Sequence, residues 1–382
     1  MRNWLLPEYI EDVLPAEAAQ IEHLRRSLLD LFEVHGYQFV IPPMMEYLES
    51  LITGVGHDLD LATFKVVDQL TGRLMGVRAD ITPQAARIDA HMLNNQGVTR
   101  LCYAGSVLRT NPDGLAQTRQ PMQLGAELFG HAGVEGDIEI QRLMIKTLQA
   151  SGVKALQIDF NHVGIFDALM KNTDPVFEKQ LYQALQSKDQ TEVKALTKDF
   201  DAVTRDALCA LTELNGDVAI LAEAAKRLPK SPAITKALAE LLQVSNQLKD
   251  LDVGVSFDLA ELRGYHYHSG MVFAAYAQGC PGPLALGGRY DEVGQAFGRA
   301  RPAAGFSLDL RGLVKALPRS NVKQCILAPY GNDDSLIKKI DELRKSGEKV
   351  VQELPGHEAY VDELNFNRKL KNLDGVWQVI AA

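Results

Sequence analysis

The chain of 382 residues has little cysteine. Cys102, Cys209, Cys280 and Cys325 stand far apart, and no two form a Cys-x-x-Cys pair. This spacing carries no zinc or disulfide signature and fits free thiols in a reducing compartment. There is no apolar run approaching the ~20 residues of a membrane helix. The opening Met-Arg-Asn-Trp-Leu-Leu-Pro-Glu has no long apolar segment, so no secretory signal is expected and the expected location is the cytoplasm. Positive charge is not in excess: 40 Lys and Arg face 49 Asp and Glu, for a net charge of -9. Nucleic-acid binders usually present a basic surface, so the balance weighs against such a partner, though not against a local basic patch. Phosphate-binding GxxxxGK[ST], the GxSxG nucleophile elbow and a regular βαβ alternation are all missing. What remains is an ordinary soluble composition, 46% hydrophobic and 23% charged. The length suits one large domain and a smaller one, or two or three domains.

Apolar spacing predicts an amphipathic helix over 16–34 that stops at His35-Gly36. A short strand is expected over 37–41, ended by Pro42-Pro43. Further strands are expected over 74–80, 101–108 and 123–129, then a helix over 137–151 and a strand over 155–160. Residues 164–252 read as a helical insertion, Ala/Leu/Lys-rich and broken by Pro175, Pro229 and Pro232. Strands return over 253–259, 271–276 and 284–286, and 304–314 reads as a strand running into a helix. A boundary falls near Pro318. Beyond it, strands at 325–328, 350–353 and 376–380 with a helix at 333–346 suggest a small α/β unit. The pattern is an α+β architecture, a mixed and mostly antiparallel sheet flanked by helices, with domains 1–318 and 319–382.

Several groups could carry chemistry. Gln123, Gly125 and Glu127 share one face of their strand, and the glycine leaves room above the sheet. Arg109 and Arg119 flank that strand and its neighbour. Such a set could hold a small zwitterion; the plain alternative is a solvated face with ordinary ion pairs, worth little. Asp80 and Thr82 also share parity, and Thr82-Pro83 suits the start of a helix. Arg263-Gly-Tyr-His-Tyr-His-Ser-Gly270 gathers an arginine, two tyrosines and two histidines between strands. His266 and His268 lack a third ligand at metal spacing, so neither metal nor cofactor is expected. Gly287-Gly-Arg-Tyr-Asp291 alone is compatible with a plain turn.

As an ordered set these pieces resemble the core of the histidyl-tRNA synthetases, a class II aminoacyl-tRNA synthetase family. Gly36-Tyr-Gln-Phe-Val-Ile-Pro-Pro43 resembles the first class II motif, which lies at a dimer interface. Residues 74–82 resemble the Leu-Arg-Pro-Glu-x-Thr stretch, with Asp80 for glutamate. Residues 101–130 resemble the second motif through Arg109, Pro112, Gly114, Arg119, Gln123, Gly125, Glu127 and Phe129. Leu262-Arg-Gly-Tyr-His-Tyr-His268 resembles the histidyl signature Val-Arg-Gly-Leu-Asp-Tyr-Tyr. Arg301-Pro-Ala-Ala-Gly-Phe-Ser-Leu-Asp-Leu-Arg-Gly-Leu313 resembles the third motif, Pro-Ala-x-Gly-Phe-x-x-Gly-Leu-Glu-Arg-Leu.

The departures bear on function. Asn111 replaces a glutamate, Met122 a histidine, and His266 and His268 replace Asp and Tyr. In the third motif Asp309, Arg311 and Gly312 stand at its glycine, glutamate and phosphate-contacting arginine. Residues 319–382 are shorter than an anticodon-binding domain. This profile resembles the paralogous regulatory subunits of ATP phosphoribosyltransferase, which lack synthetase activity. That resemblance implies no catalytic residues and no tRNA, a core dimer, and partnership with the short-form catalytic subunit in the first step of histidine biosynthesis. It also implies L-histidine as effector. Asp80, Thr82 and Gln123 would take its ammonium, Arg109 and Arg263 its carboxylate, and Glu127, Tyr267 and Tyr290 would frame its imidazole. The rival readings are a shortened synthetase that activates histidine or a related amino acid for a non-tRNA acceptor, and an assembly scaffold with no histidine site.

Overall fold

A computed structural model describes residues 4–53, 57–112, 117–170, 174–262, 267–318, 324–357, 360 and 363–382. The chain forms two compact units, Met1–Pro318 and Arg319–Ala382. No described helix is long and apolar enough to cross a membrane.

Along the larger unit the strands are β1 (Gln38–Phe39), β2 (Met45–Tyr47), β3 (Phe64–Val67), β4 (Leu74–Val77), β5 (Thr99–Ser106), β6 (Met122–Phe129), β7 (Leu156–His162), β8 (Asn215–Gly216), β9 (Gly254–Asp258), β10 (Met271–Ala277), β11 (Ala285–Arg289) and β12 (Ala303–Asp309). The main sheet runs β1-β5-β6-β12-β11-β10-β7-β9-β8, while β2, β4 and β3 form a small separate sheet. Pairing in the main sheet is antiparallel except at β1/β5 and β7/β9. The mixed, mostly antiparallel α+β class is therefore the observed one.

Alternation along each strand sends its residues to two different layers. Leu124, Ala126 and Leu128 of β6, Phe160 of β7, Phe273 of β10 and Phe306 of β12 belong to the main core. The helices Pro15–Val34 and Val134–Ala150 cover that face. The first buries Ile21, Leu24, Leu28 and Phe32, one stripe at helical spacing, and Phe32 meets Phe306 edge-on at 6.0 Å. It ends where Gly36 adopts φ +83°, a conformation that favours glycine. The opposite face carries a smaller core of Ile81, Leu101, Tyr103, Phe129, Tyr290 and Ala303.

The helical insertion lies between β7 and β9, from Val163–Leu169 to Pro232–Gln247. Pro175 and Pro232, which read as breaks, stand at the first residues of helices, where proline's missing N–H costs nothing. Asp189, Asp201 and Ser231 cap three of the insertion helices by accepting N–H bonds from Glu192, Thr204 and Ile234. The insertion is not detached. Its β8 joins the sheet beside β9, and its Leu185, Leu208 and Leu241 lie in the main core.

Some elements differ from expectation. The strand expected over 37–41 is ladder-paired only at Gln38 and Phe39. The strand expected over 74–80 stops at Val77 and belongs to the small sheet, because Arg78 turns in to donate to the carbonyls of Pro42 and Ser106. The smaller unit holds β13 (Cys325–Ala328), β14 (Val350–Gln352), β15 (Phe366–Leu373) and β16 (Val376–Ala381), ordered β14-β13-β15-β16, with the helix Asp334–Lys345. Strand β15 was not foreseen: Arg368, Lys369 and Lys371 break any apolar alternation, and only Leu370 is buried.

Two buried ion pairs tie segments distant in sequence. Arg301 reaches Asp89 at 2.8 Å, and Arg289 reaches Asp137 at 2.6 Å while also donating to the carbonyls of His131 and Gly133. Burial raises the Asp137 carboxyl, and the Arg289 charge opposes that rise. Arg289→Met should therefore strand a buried carboxylate and lower unfolding free energy by about 3–5 kcal/mol. Urea unfolding of the full chain checks this; an unchanged midpoint would refute the account.

Candidate functional site

The site stands on the sheet face opposite the main core. Glu127 of β6 lies across from Leu101 of β5 and Gly305 of β12, and Gly125 lies across from Tyr103. A Cβ on Gly125 would collide with the Tyr103 hydroxyl, and one on Gly305 with the Glu127 carboxylate, so both positions demand glycine. The solvated-face alternative fails: Gln123 is 4% exposed and Glu127 1%.

One hydrogen-bonded chain links most of the predicted residues. Gln123 donates from Nε2 to Asp80 Oδ1 at 2.7 Å and accepts from the Ile81 N–H at 2.9 Å. Asp80 also accepts from the Thr82 N–H at 2.9 Å. The helix Thr82–Arg87 begins at Thr82 itself, so Asp80 satisfies its first N–H and Thr82 is no cap. Its hydroxyl instead meets the Tyr103 hydroxyl at 2.9 Å; Tyr103 in turn donates to Glu127 Oε1 at 2.9 Å. The Tyr290 hydroxyl donates to Glu127 Oε2. Tyr267 stacks on Tyr290 at 5.1 Å and meets His268 edge-on at 5.3 Å. Arg109 sits beside this group, its Nε donating to the Ala79 carbonyl at 3.2 Å. Arg263 lies outside the described residues, as do Gly264, Tyr265, His266 and Gly114. The residue missed from sequence is Tyr103. Its parity with Leu101 and its place opposite Gly125 were the available signals, but the register that pairs them is not readable from one strand.

Burial dominates the electrostatics. It pushes the Glu127 carboxyl up to about 8, against the Tyr290 and Tyr103 hydrogen bonds that pull it down, with Asp80 adding repulsion. Tyr103, Tyr267 and Tyr290 are raised well above the ordinary phenol range, first by burial and then by Glu127. The Tyr267 hydroxyl is buried and has no hydrogen-bond partner. Such an orphan costs free energy unless a ligand satisfies it. The assembly offers acceptors at one end, and a proton-sharing carboxyl flanked by aromatic rings at the other. Among the described residues no three His, Cys, Asp or Glu side chains group as a metal site.

The altered third motif is tied into the fold. Asp309 lies opposite Gln123 and caps the helix Leu310–Ala316, accepting from the N–H groups of Arg311 and Gly312 at 3.0 and 3.1 Å. It also accepts from the Met122 N–H at 3.0 Å. Burial raises the Asp309 carboxyl against these three bonds. Arg311 turns to Glu11 at 2.9 Å and to the Gln120 carbonyl at 3.1 Å. The Asp309 carboxylate and the Arg311 terminal nitrogens are thus engaged with the protein itself, while the buried Arg311 Nε has no hydrogen-bond partner.

This sheet and pocket define a class II, histidyl-tRNA synthetase-like protein. The histidyl-tRNA synthetase family model matches residues 9–313. A histidyl-tRNA synthetase from Nostoc shares the fold at TM-score 0.79 and 18% identity, over 100% of this chain and 97% of that one. A Bacillus halodurans protein described as an ATP phosphoribosyltransferase regulatory subunit/histidyl-tRNA synthetase matches at TM-score 0.82 and 27% identity, over 97% and 98% of the two chains. Residues 323–380 match the ATP phosphoribosyltransferase subunit HisZ C-terminal domain. The regulatory subunits of that enzyme from Methylobacillus flagellatus and Nitrosospira multiformis are 66% and 53% identical, each over 100% of this chain and 99% of the relative. The chain belongs to the family of ATP phosphoribosyltransferase regulatory subunits, and its role is regulatory, not catalytic.

The raised Glu127 pKa gives a signed expectation. Unfolded, the carboxyl titrates near its ordinary value of 4.5; folded, it keeps its proton to about 8. The folded state therefore holds more protons between those values, and stability falls as pH rises through that window. Glu127→Gln should flatten this decline in urea midpoints measured without ligand at several pH values. An equal slope in both proteins would contradict the assignment.

Proposed function

We propose that this chain binds L-histidine at the Glu127 pocket and confers histidine feedback on a short-form ATP phosphoribosyltransferase catalytic subunit, which it also activates. Both subunits would act in the cytoplasm, in the first step of histidine biosynthesis. One observation carries the reading. The chain of bonds from Asp80 to Tyr290 around a buried Glu127 is intact, while the neighbouring third motif is closed by Asp309. Asp80, Thr82 and Gln123 supply acceptors for an ammonium. Arg109 and Arg263 supply charge for a carboxylate. Glu127 with Tyr267 and Tyr290 frames the ring: an imidazole brings either an N–H to the carboxylate or a ring nitrogen to the carboxyl proton. No tRNA is expected as partner.

Feedback requires histidine to favour a less active assembly, and the coupling must be reciprocal. Substrate should weaken histidine binding by the factor with which histidine weakens substrate binding. The test is phosphoribosyl-ATP formation by the catalytic subunit from the same source, with and without this chain, under a histidine titration. Activity should rise with the chain and fall with histidine. Glu127→Ala should abolish the fall. No effect of the chain at any ratio would sink the proposal. Histidine-dependent exchange of pyrophosphate into ATP would instead indicate a shortened synthetase.

The proposal includes a dimer through the core. Exposed apolar side chains support it: Ile41 is 82% exposed, Leu70 91% and Met92 66%, with Phe39 on the edge strand β1 also exposed. Ile41→Glu with Leu70→Glu should shift the isolated chain toward monomer in sedimentation equilibrium; an unchanged mass would refute this surface.

A further inference from the structure

The small unit leaves one strand edge open. Its β15 and β16 form a hairpin joined by Asp374-Gly375, at φ +51° and +83°, a two-residue turn that matches the twist of the strands. Asn372 accepts the Gly375 N–H at 2.9 Å and steadies that turn. From there the ladder runs without a bulge, from Leu373 opposite Val376 to Arg368 opposite Ala381. The order β14-β13-β15-β16 makes β16 an edge.

The ladder fixes which groups face outward. Ala382 donates its N–H inward to the Asn367 carbonyl at 3.0 Å. Along an antiparallel strand the backbone groups of successive residues point to alternate sides. Val376, Gln378 and Ile380 therefore bond to β15, and the N–H and C=O groups of Trp377, Val379 and Ala381 point to the open edge. The strand is held in place behind that edge. Trp377 and Val379 pack toward Leu336 and Ile340 of the helix Asp334–Lys345, and Trp377 donates from Nε1 to the Ser335 hydroxyl at 2.9 Å.

This edge lacks the usual protection. Edge strands are commonly kept short, charged, bulged or broken by proline. The other edge strands of the described sheets, β1, β8, β2, β3 and β14, span two to four residues. On the far side of the small sheet, β14 is three residues between Lys349 and Glu353, with Pro355 close behind. Strand β16 reads Val-Trp-Gln-Val-Ile-Ala, six residues with no charge, proline or glycine. A row of free amides at ladder spacing is matched by another extended strand.

A second copy of β16 fits that role. With Val379 on a two-fold axis, an antiparallel copy sets Trp377 opposite Ala381 and Val379 opposite itself. Every outward N–H then meets an outward carbonyl, and the wide indole stands beside the small alanine. No like charges meet along the strand, because it has none. Residues 319–382 carry ten Lys and Arg against ten Asp and Glu, so no net charge drives two copies apart. A foreign strand would find no polar side chain along the edge to choose it, apart from Gln378.

We propose that β16 pairs with β16 of a second copy of this chain, joining two four-stranded sheets into one continuous sheet. The contact is isologous and uses the small unit alone, so it is separate from the dimer proposed through the core.

The test uses the full chain. Across the axis Gln378 and Ile380 become direct neighbours in the close type of antiparallel pair, about 4.5 Å between Cα atoms, within disulfide reach. Gln378→Cys with Ile380→Cys should give a covalent dimer on mild oxidation, and the wild-type chain, whose cysteines are buried or half-buried, should not. Ala381→Pro removes an outward N–H and no bond to β15. Added to the cysteine pair, it should abolish the covalent dimer. Alone, it should lower the average mass in sedimentation equilibrium toward half the wild-type value, whether or not the core also pairs, so this outcome is independent of the core dimer. Gln378→Lys places two ammonium groups near each other across the axis from an exposed position and should do the same if the proline variant does not fold. Absence of the covalent dimer, or an unchanged mass in both edge variants, would overturn the proposal; an edge that pairs with a strand of a different protein gives that result.

Discussion

A carboxyl group placed inside the sheet face governs much of this structure. Glu127 projects from a central strand into a region almost without water, and an isolated carboxylate there would be very costly. The fold meets that cost in three ways. Glycines at 125 and 305 clear the space, Tyr103 and Tyr290 donate to both oxygens, and the raised pKa keeps the group neutral near physiological pH. The two glycines lie on β6 and β12, Tyr103 on β5, and Tyr290 directly after β11. The register of β5, β6, β11 and β12 is therefore coupled to the one buried acid.

The same constraint explains why the pocket and the third motif behave as separable parts. The polar groups from Asp80 to Tyr290 bond mainly to one another and present what remains toward the open face. Asp309, next to Gln123 across the ladder, does the opposite: its carboxylate is consumed by three backbone N–H groups. Two of the N–H groups at this helix start are thereby taken by the protein's own carboxylate. The residues from Asp80 to Tyr290 keep their own hydrogen-bonded chain beside this cap. That suits a chain whose family regulates a partner and does not itself catalyse.

The insertion shows how a local feature acquires a wider role. Its helices follow from proline, aspartate and serine at their starts. Its contribution to the sheet edge comes from tertiary placement. Lys188 meets Asp258 only because the insertion folds back on the sheet it interrupts.

The sequence by itself determined the α+β class, the amphipathic helix that ends at Gly36, the strand carrying Gln123, Gly125 and Glu127 on one face, and the departures at Asp309 and Gly312. These are local or ordered along the chain, so periodicity and motif order suffice to read them. Tertiary structure decided what those residues touch. It revealed Tyr103 beneath Glu127, gave the start of the helix at Thr82 to Asp80, buried Arg289 on Asp137, and placed the strand of Arg368 and Lys369 in a sheet. Each depends on register between strands far apart in sequence. A one-residue slip would send every side chain to the other face, and no single strand records that choice.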